Sequence, residues 1–294
     1  MQRKLSADVE IGDVVFSTDG KLLHGICRDN KLRAWDVSSG AVRQTITFDK
    51  GDRGAILTEH GCTTVGEDGA LKAWDLTSGN ASKRTPPSSE LRPGGAILAA
   101  NGDLFAFYGR AEVSVRRFDA SGKERYAVPS GIGGTAAVAI SADGTKIAAA
   151  TYDADVRAWK ASNGELLRTI GELPVSMFAL KFSPDGKWLA AGGADRQLYL
   201  YDAETWKQTR ALSGQPEMIS AIDVSSDGTM VATGGFSELT LKNPVKVLVW
   251  DVRSGKPVRT FDAAQRVGAV AFGPDGRSLA VSTFSKTVDL WEWP

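Results

Sequence analysis

The side chains best suited to chemistry are few in this chain, and their spacing decides what they can do. The two histidines, His24 and His60, fall in a strand-like run and in a turn. A zinc site built on them needs carboxylates or a cysteine converging from elsewhere, and no H-E-x-x-H run supplies such a set; both read as structural or surface histidines. Gly131-Ile132-Gly133-Gly134-Thr135-Ala136 fits G-x-G-x-x-A. That pattern cradles a pyrophosphate only between a strand and a helix, and Ala137-Val138-Ala139-Ile140 reads as a strand. Gly186-Lys187 and Gly255-Lys256 lack the Ser or Thr of a P-loop, and no G-x-S-x-G nucleophile elbow occurs. Asp153-Ala154-Asp155 offers two carboxylates to a hard cation, without the further oxygen ligands and Gly of a calcium loop; Asp153 reads as a turn cap. The pattern therefore predicts no catalytic residue, no metal and no cofactor.

Charge points the same way. Lys plus Arg and Asp plus Glu both number 35, so no global field recruits nucleic acid or an anionic membrane. The one local basic group, Arg116, Arg117, Lys123 and Arg125, is diluted by Glu112, Asp119 and Glu124 and reads as a solvated strand edge. No apolar run approaches the ~18 residues of a membrane span, and Met1 to Asp8 has no hydrophobic signal core. Cys27 and Cys62 make no disulfide framework. Free thiols and a cytoplasmic location are the expectation.

The elements that position these residues are set by a repeat, which outranks every motif above. An Asp-Gly turn, or its stand-ins His60-Gly61 and Asn101-Gly102, begins at 19, 60, 101, 143, 185, 227 and 275, in steps of 41, 41, 42, 42, 42 and 48. A second marker closes each unit: Trp35-Asp36, Trp74-Asp75, Phe118-Asp119, Trp159-Lys160, Tyr201-Asp202, Trp250-Asp251 and Trp291-Glu292. A third, Ser-Gly or Asn-Gly, follows at Ser39, Ser78, Ser121, Asn163 and Ser254. Each unit holds four short β-runs; in the fourth they are Ala136–Ile140, Lys146–Thr151, Val156–Trp159 and Leu166–Ile170. The turns between them use Asp to bond its own backbone and Gly to take positive φ. Four-stranded units at a period of 40–45 residues indicate a β-propeller.

Phe182-Ser183-Pro184-Asp185-Gly186, followed by a closing Trp-Asp or its variant, resembles the WD-repeat (WD40) family across essentially the whole chain. The expected fold is an all-β, seven-bladed propeller of four-stranded antiparallel blades forming one domain over 1–294. Its units run approximately 7–48, 49–87, 88–129, 130–172, 173–214, 215–262 and 263–294 plus 1–6. Gln2–Ser6 is expected to supply the missing fourth strand of the last blade and close the ring.

The departures from the pattern suggest where function lies. In the family a turn Asp joins a Trp, Ser/Thr and His network; Asp29, Asp68, Asp153 and Asp195 stand at that place, but the His is absent, with Leu173 and Gln215 there in units five and six. The full network is thus expected to be missing, each Asp capping only its own turn. Unit three is the most degenerate and unit six carries an insertion from about Phe236 to Lys246. In such propellers the second-to-third strand turns and the inter-blade connections share one face, which the resemblance implies is used for binding. Arg53, Arg92, Arg110, Arg196, Phe236 and Arg266, from successive connections and turns, are the expected partner-binding residues, because planar donors and aromatics make good anchors. The function implied is a non-catalytic scaffold holding a protein or peptide partner, with no nucleic acid and no membrane. The alternative is a propeller enzyme, hydrolase or dehydrogenase, using the central channel.

Overall fold

Short apolar runs of β-branched, aromatic and small residues, punctuated by turn residues, can bury their surface only by pairing and stacking as sheets. The computed structural model describes the chain apart from residues 1, 59–60, 67, 69, 85–92, 99–103, 109–113, 120–122, 130–133, 172, 238–243 and 294; for residues 2, 53–54, 82–84, 93–98, 104–108 and 114 the backbone alone is described. These residues form seven four-stranded antiparallel sheets. The first strands of the sheets are Ile11–Phe16, Arg53–Thr58, Pro93–Leu98, Thr135–Ile140, Met177–Phe182, Met218–Val224 and Ala269–Phe272. In six sheets the strands follow one another in chain order; in the seventh the fourth place is taken by Gln2–Ser6, paired with Thr287–Glu292 so that Leu5 faces Val288. The architecture is a β-propeller of four-stranded antiparallel blades. The fourth sheet consists of Thr135–Ile140, Lys146–Thr151, Val156–Lys160 and Leu166–Ile170, within a residue of the runs expected from the sequence.

The repeated markers have local physical causes. At Ser183-Pro184-Asp185-Gly186, the Ser183 hydroxyl donates to Asp185 at 2.7 Å, Asp185 accepts the Lys187 N–H at 3.1 Å, and Gly186 takes φ of 67°. Ser17 and Asp19, Ser141 and Asp143, and Ser225 and Asp227 repeat the same bond. After the closing aromatic, Asp36, Asp75, Asp202 and Asp251 each accept a backbone N–H three residues on, at 2.6–2.8 Å. Gly40, Gly79, Gly164 and Gly255 then turn the chain at positive φ. In the fifth sheet that fourth position is Trp206, at φ 57°. Its ring packs edge-on against Phe182 and only 6% of it is exposed, so burial offsets a backbone conformation that side chains disfavour. Trp206 belongs to the core rather than to an exposed interface.

Neighbouring blades meet across layers of small and large side chains. Second strands are alanine-rich where they are sandwiched: Ala148, Ala149 and Ala150, and Ala190 and Ala191, are fully buried. Gly192 allows the next inner strand to nest, since a Cβ there would sit 2.4 Å from Ile219; Gly235 instead lets its own sheet's first strand approach, since a Cβ there would sit 1.7 Å from the Met218 carbonyl oxygen. The closing aromatics fill the wedges that remain, with Trp35, Trp159, Trp250 and Tyr201 at most 2% exposed. The third sheet docks on the fourth through Val115 in a shared core with Ile147 and Trp159, and through Tyr126, whose hydroxyl donates to the Ala161 carbonyl at 2.8 Å. Phe118, the weakest closing aromatic, is only half-buried.

Truncating Trp159 to Ala removes the indole from a site fixed by strands on both sides, so the cavity cannot collapse. The variant is expected to lose roughly 3–5 kcal/mol of stability, read as a lowered midpoint in urea with an unchanged slope.

Candidate functional site

Two regions concentrate polar groups: the central channel and the face formed by the connections. The channel is lined by inner strands of six sheets among the residues with described side chains. Towards the Asp-Gly turns it widens into a cavity of about 460 Å³ with apolar walls that include Ile140, Phe182, Val224 and Phe272. Towards the connections the space is about 310 Å³, and Asp13, Lys181 and Asp223 line it. The Lys181 ammonium lies 3.2 Å from Asp223, whose other oxygen accepts the Phe272 N–H at 2.8 Å. Asp13 accepts the N–H of Val14 at 3.0 Å and, across the blade boundary, that of Leu57 at 3.3 Å. Both carboxylates therefore tie one inner strand to the next. The serines near the wide end, Ser141 and Ser183, donate to the aspartates of their own turns. A nucleophile paired with a general base is not among these arrangements.

Burial pushes the Asp13 carboxyl up to about 6, against the opposing pull of the two N–H bonds and of Lys181. The sign of its effect on stability follows. Between its unfolded value near 4 and about 6, the folded chain holds a proton that the unfolded chain releases, so stability falls as pH rises through that window. Asp13→Asn removes this contribution; the difference in unfolding free energy between the variant and the parent chain is expected to shift in the variant's favour from pH 4 to pH 7, by on the order of 2 kcal/mol. A difference that stays flat across that range counts against a buried, reluctant Asp13.

Antiparallel order places the end of each second strand, the start of each third strand and every inter-sheet connection on one face. Arg53 is the first residue of the second sheet's inner strand, at this face, with its backbone alone described. Arg92 and Arg110 lie outside the described residues. Arg196 is exposed in the fifth sheet's turn, at φ 66°. Phe236 and Arg266 are brought together: the Arg266 guanidinium carbon lies 4.5 Å from the Phe236 ring centroid and 5.0 Å from that of Phe284. Phe178 stacks on Phe236 at 6.5 Å with 29° between planes. Fifth, sixth and seventh sheets thus contribute one phenylalanine each to a cluster around a single guanidinium. Phe284 adopts φ of 49°, left-handed for a bulky residue.

The polar framework under this face corrects an expectation. A Trp–Thr network does persist, with other acceptors in place of His. In the second sheet the Trp74 indole donates to Thr64 at 2.8 Å, Thr64 donates to Asp52 at 2.9 Å, and Lys72 bonds Asp52 at 2.7 Å and Asp49 at 2.6 Å. In the sixth, Trp250 donates to Thr233 at 2.8 Å, Thr233 to the Gln215 carbonyl at 2.7 Å, and the Gln215 amide to the Lys246 carbonyl at 2.8 Å. The Thr hydroxyl needs an acceptor in reach, and a carboxylate or amide oxygen serves as well as an imidazole nitrogen. Nor do the turn aspartates only cap. Asp29 grips Arg33 with both oxygens at 2.9 and 2.6 Å, which holds its carboxyl below the usual range, and Asp195 accepts the Tyr199 hydroxyl at 2.6 Å. Asp68 does cap, accepting the Ala70 N–H at 3.0 Å. Lys72→Met would leave the Asp52 carboxylate, whose side chain is 1% exposed, without its cation. A loss of about 3 kcal/mol at pH 7 is expected in chemical denaturation.

Other candidate residues fall into structural roles. His24 is buried, which holds its pKa down, and His60 lies outside the described residues. Cys27 and Cys62 are free and buried, and burial raises both thiols. Among the described residues, no cluster of His, Cys, Asp and Glu is arranged to hold a metal ion, and no helix is long and apolar enough to cross a membrane. The glycine-rich residues 130–133 are outside the described set. Arg116 and Arg125 pair with Glu124 and Asp119 at 3.0 and 2.9 Å. Phe178 and Phe284 went unremarked in the sequence, although a signal was present. Seven residues before the Asp-Gly turn, Phe178 stands where other units carry Gly12, Ala136, Ser220 and Gly268.

Against known families, the model described as WD domain, G-beta repeat matches residues 164–202 and 255–292. Comparison with curated proteins finds no match. The matched segments run from the third-to-fourth strand turn of one unit to the closing aromatic pair of the next.

Proposed function

Since this chain is a WD-repeat β-propeller protein, we propose that it is a non-catalytic scaffold that presents its connection face to a protein or peptide partner. The observation that carries this reading is the exposed Arg266 held between Phe236 and Phe284 on that face. Aromatic and guanidinium groups gathered on a rigid surface offer a large contact area at little ordering cost. The networks beneath, from Trp74 to Asp52 and from Trp250 to Gln215, stiffen the turns that bear it. Channel chemistry has no comparable support, because Asp13, Lys181 and Asp223 bond the backbone and one another.

The ring is read as seven-bladed and closed by the N-terminal strand. Supporting this are the pairing of Gln2–Ser6 with Thr287–Glu292, the burial of Leu5 at 1% exposure, and the bond from the Trp35 indole to the Ser6 carbonyl at 3.0 Å. A reducing, cytoplasmic setting is in keeping with two buried, unpaired thiols.

The test is affinity capture from native extract with the full chain, Phe236→Ala, and Lys187→Ala on the opposite face. A partner is expected to be retained by the full chain and Lys187→Ala and depleted at least several-fold from Phe236→Ala. Equal retention by all three would place binding elsewhere.

A further inference from the structure

We infer that the fifth-to-seventh-sheet sector of the connection face receives an acidic peptide segment, with a carboxylate of that segment on the Arg266 guanidinium and an apolar neighbour on Phe178 and Phe236. This rests on the reading of that face as the binding surface and adds the chemistry of the partner.

Arg266 is exposed, and its contacts among the described residues are the two rings, at 4.5 and 5.0 Å. Rings engage the flat face of a guanidinium and leave its N–H edge pointing outward, where a carboxylate can bond with both oxygens. The pairing pattern around it is uneven. Elsewhere on this face cations are matched by acids: Arg28 with Glu10 at 2.7 Å, Arg33 with Asp29 at 2.6 Å, Lys72 with Asp52 at 2.7 Å and Arg157 with Asp155 at 3.0 Å. In this sector Arg196 and Lys286 are exposed and, like Arg266, take part in no ion pair among the described residues. Among the described residues, acids of this sector are engaged: Asp195 by the Gln197 N–H and Tyr199, Glu217 by Gln215 and the Lys246 N–H, Asp262 by the Lys246 ammonium. Asp8, exposed in the connection out of the seventh sheet, borders the sector.

An excess of unmatched cations beside an aromatic cluster complements an acidic segment carrying an apolar side chain. Three cations on a chain of zero formal net charge are too few for a polyphosphate backbone, whose affinity comes from many simultaneous contacts. The arrangement is also preorganised, since Phe236 and Phe284 fix the guanidinium before a partner arrives.

The test is selection of a random peptide library on the immobilised full chain, followed by fluorescence polarisation with the recovered peptides. Expected are sequences rich in Asp or Glu beside Phe, Leu or Trp, with binding that weakens as salt is raised. Arg266→Ala should weaken it by about tenfold or more, and Arg266→Lys should restore part of that loss, the charge being kept and the planar fork lost. Thermal melts matched to the parent chain establish that the variants fold. Should Arg266→Ala melt early, Arg196→Ala provides the second reading, with a smaller loss expected. Recovery of neutral or basic peptides, or of acidic ones that bind Arg266→Ala as tightly as the parent, overturns the inference and leaves the binding face standing. A phosphoserine peptide that outcompetes its Glu counterpart by more than about tenfold overturns carboxylate in favour of phosphate. If no recovered peptide depends on Phe236 or Arg266, the reading of the face fails, and this inference with it.

Discussion

How closely one blade can stack on the next is the constraint from which the rest of this molecule follows. Two twisted sheets approach within side-chain contact over their whole length only if the sandwiched strand is nearly bare. The alanines at 148–150 and 190–191 and the glycine at 192 meet that demand. The wedge opened by twist is then filled from the third strand by a large aromatic, most completely by Trp35, Trp159 and Trp250. Small and large residues are thus two halves of one packing solution. Among the closing aromatics, Phe118 of the third unit is the one left half-buried.

Close stacking also buries polar groups, which must then be satisfied. The indole N–H of Trp74 and of Trp250 lands on a threonine, and each threonine needs an acceptor beyond it. Asp52 arrives from one connection and Gln215 from another, with different charge and length, yet both close the chain of bonds. Where the acceptor is ionised, Lys72 comes with it: burial opposes the ammonium, but Asp49 and Asp52 outweigh burial and raise its pKa. A network defined by geometry tolerates such exchange, and one residue type missing from its usual place does not remove it.

Much of the fold was legible beforehand because its signals are local. Ser183, Asp185 and Gly186 make their turn from atoms a few bonds apart, so spacing alone exposes the Asp-Gly turn five times over. The aromatic–guanidinium cluster was legible only in part. Phe236 and Arg266 stand out as irregular residues on connections, whereas Phe178 sits inside a strand and looks like core until its small counterparts are compared. Trp206 lies outside the repeat pattern and is buried on Phe182.

The sequence by itself determined the period, the strands, the turns and the face on which irregular residues gather, because each depends on neighbours along the chain. Tertiary structure decided which of those residues meet. Phe178, Phe236, Arg266 and Phe284 come from three blades and converge only because stacking carries successive connections past one another. The same stacking decided which cations find a carboxylate and which are left facing solvent. Pairing between groups tens of residues apart is a matter of distance in space, and spacing along a chain does not encode it.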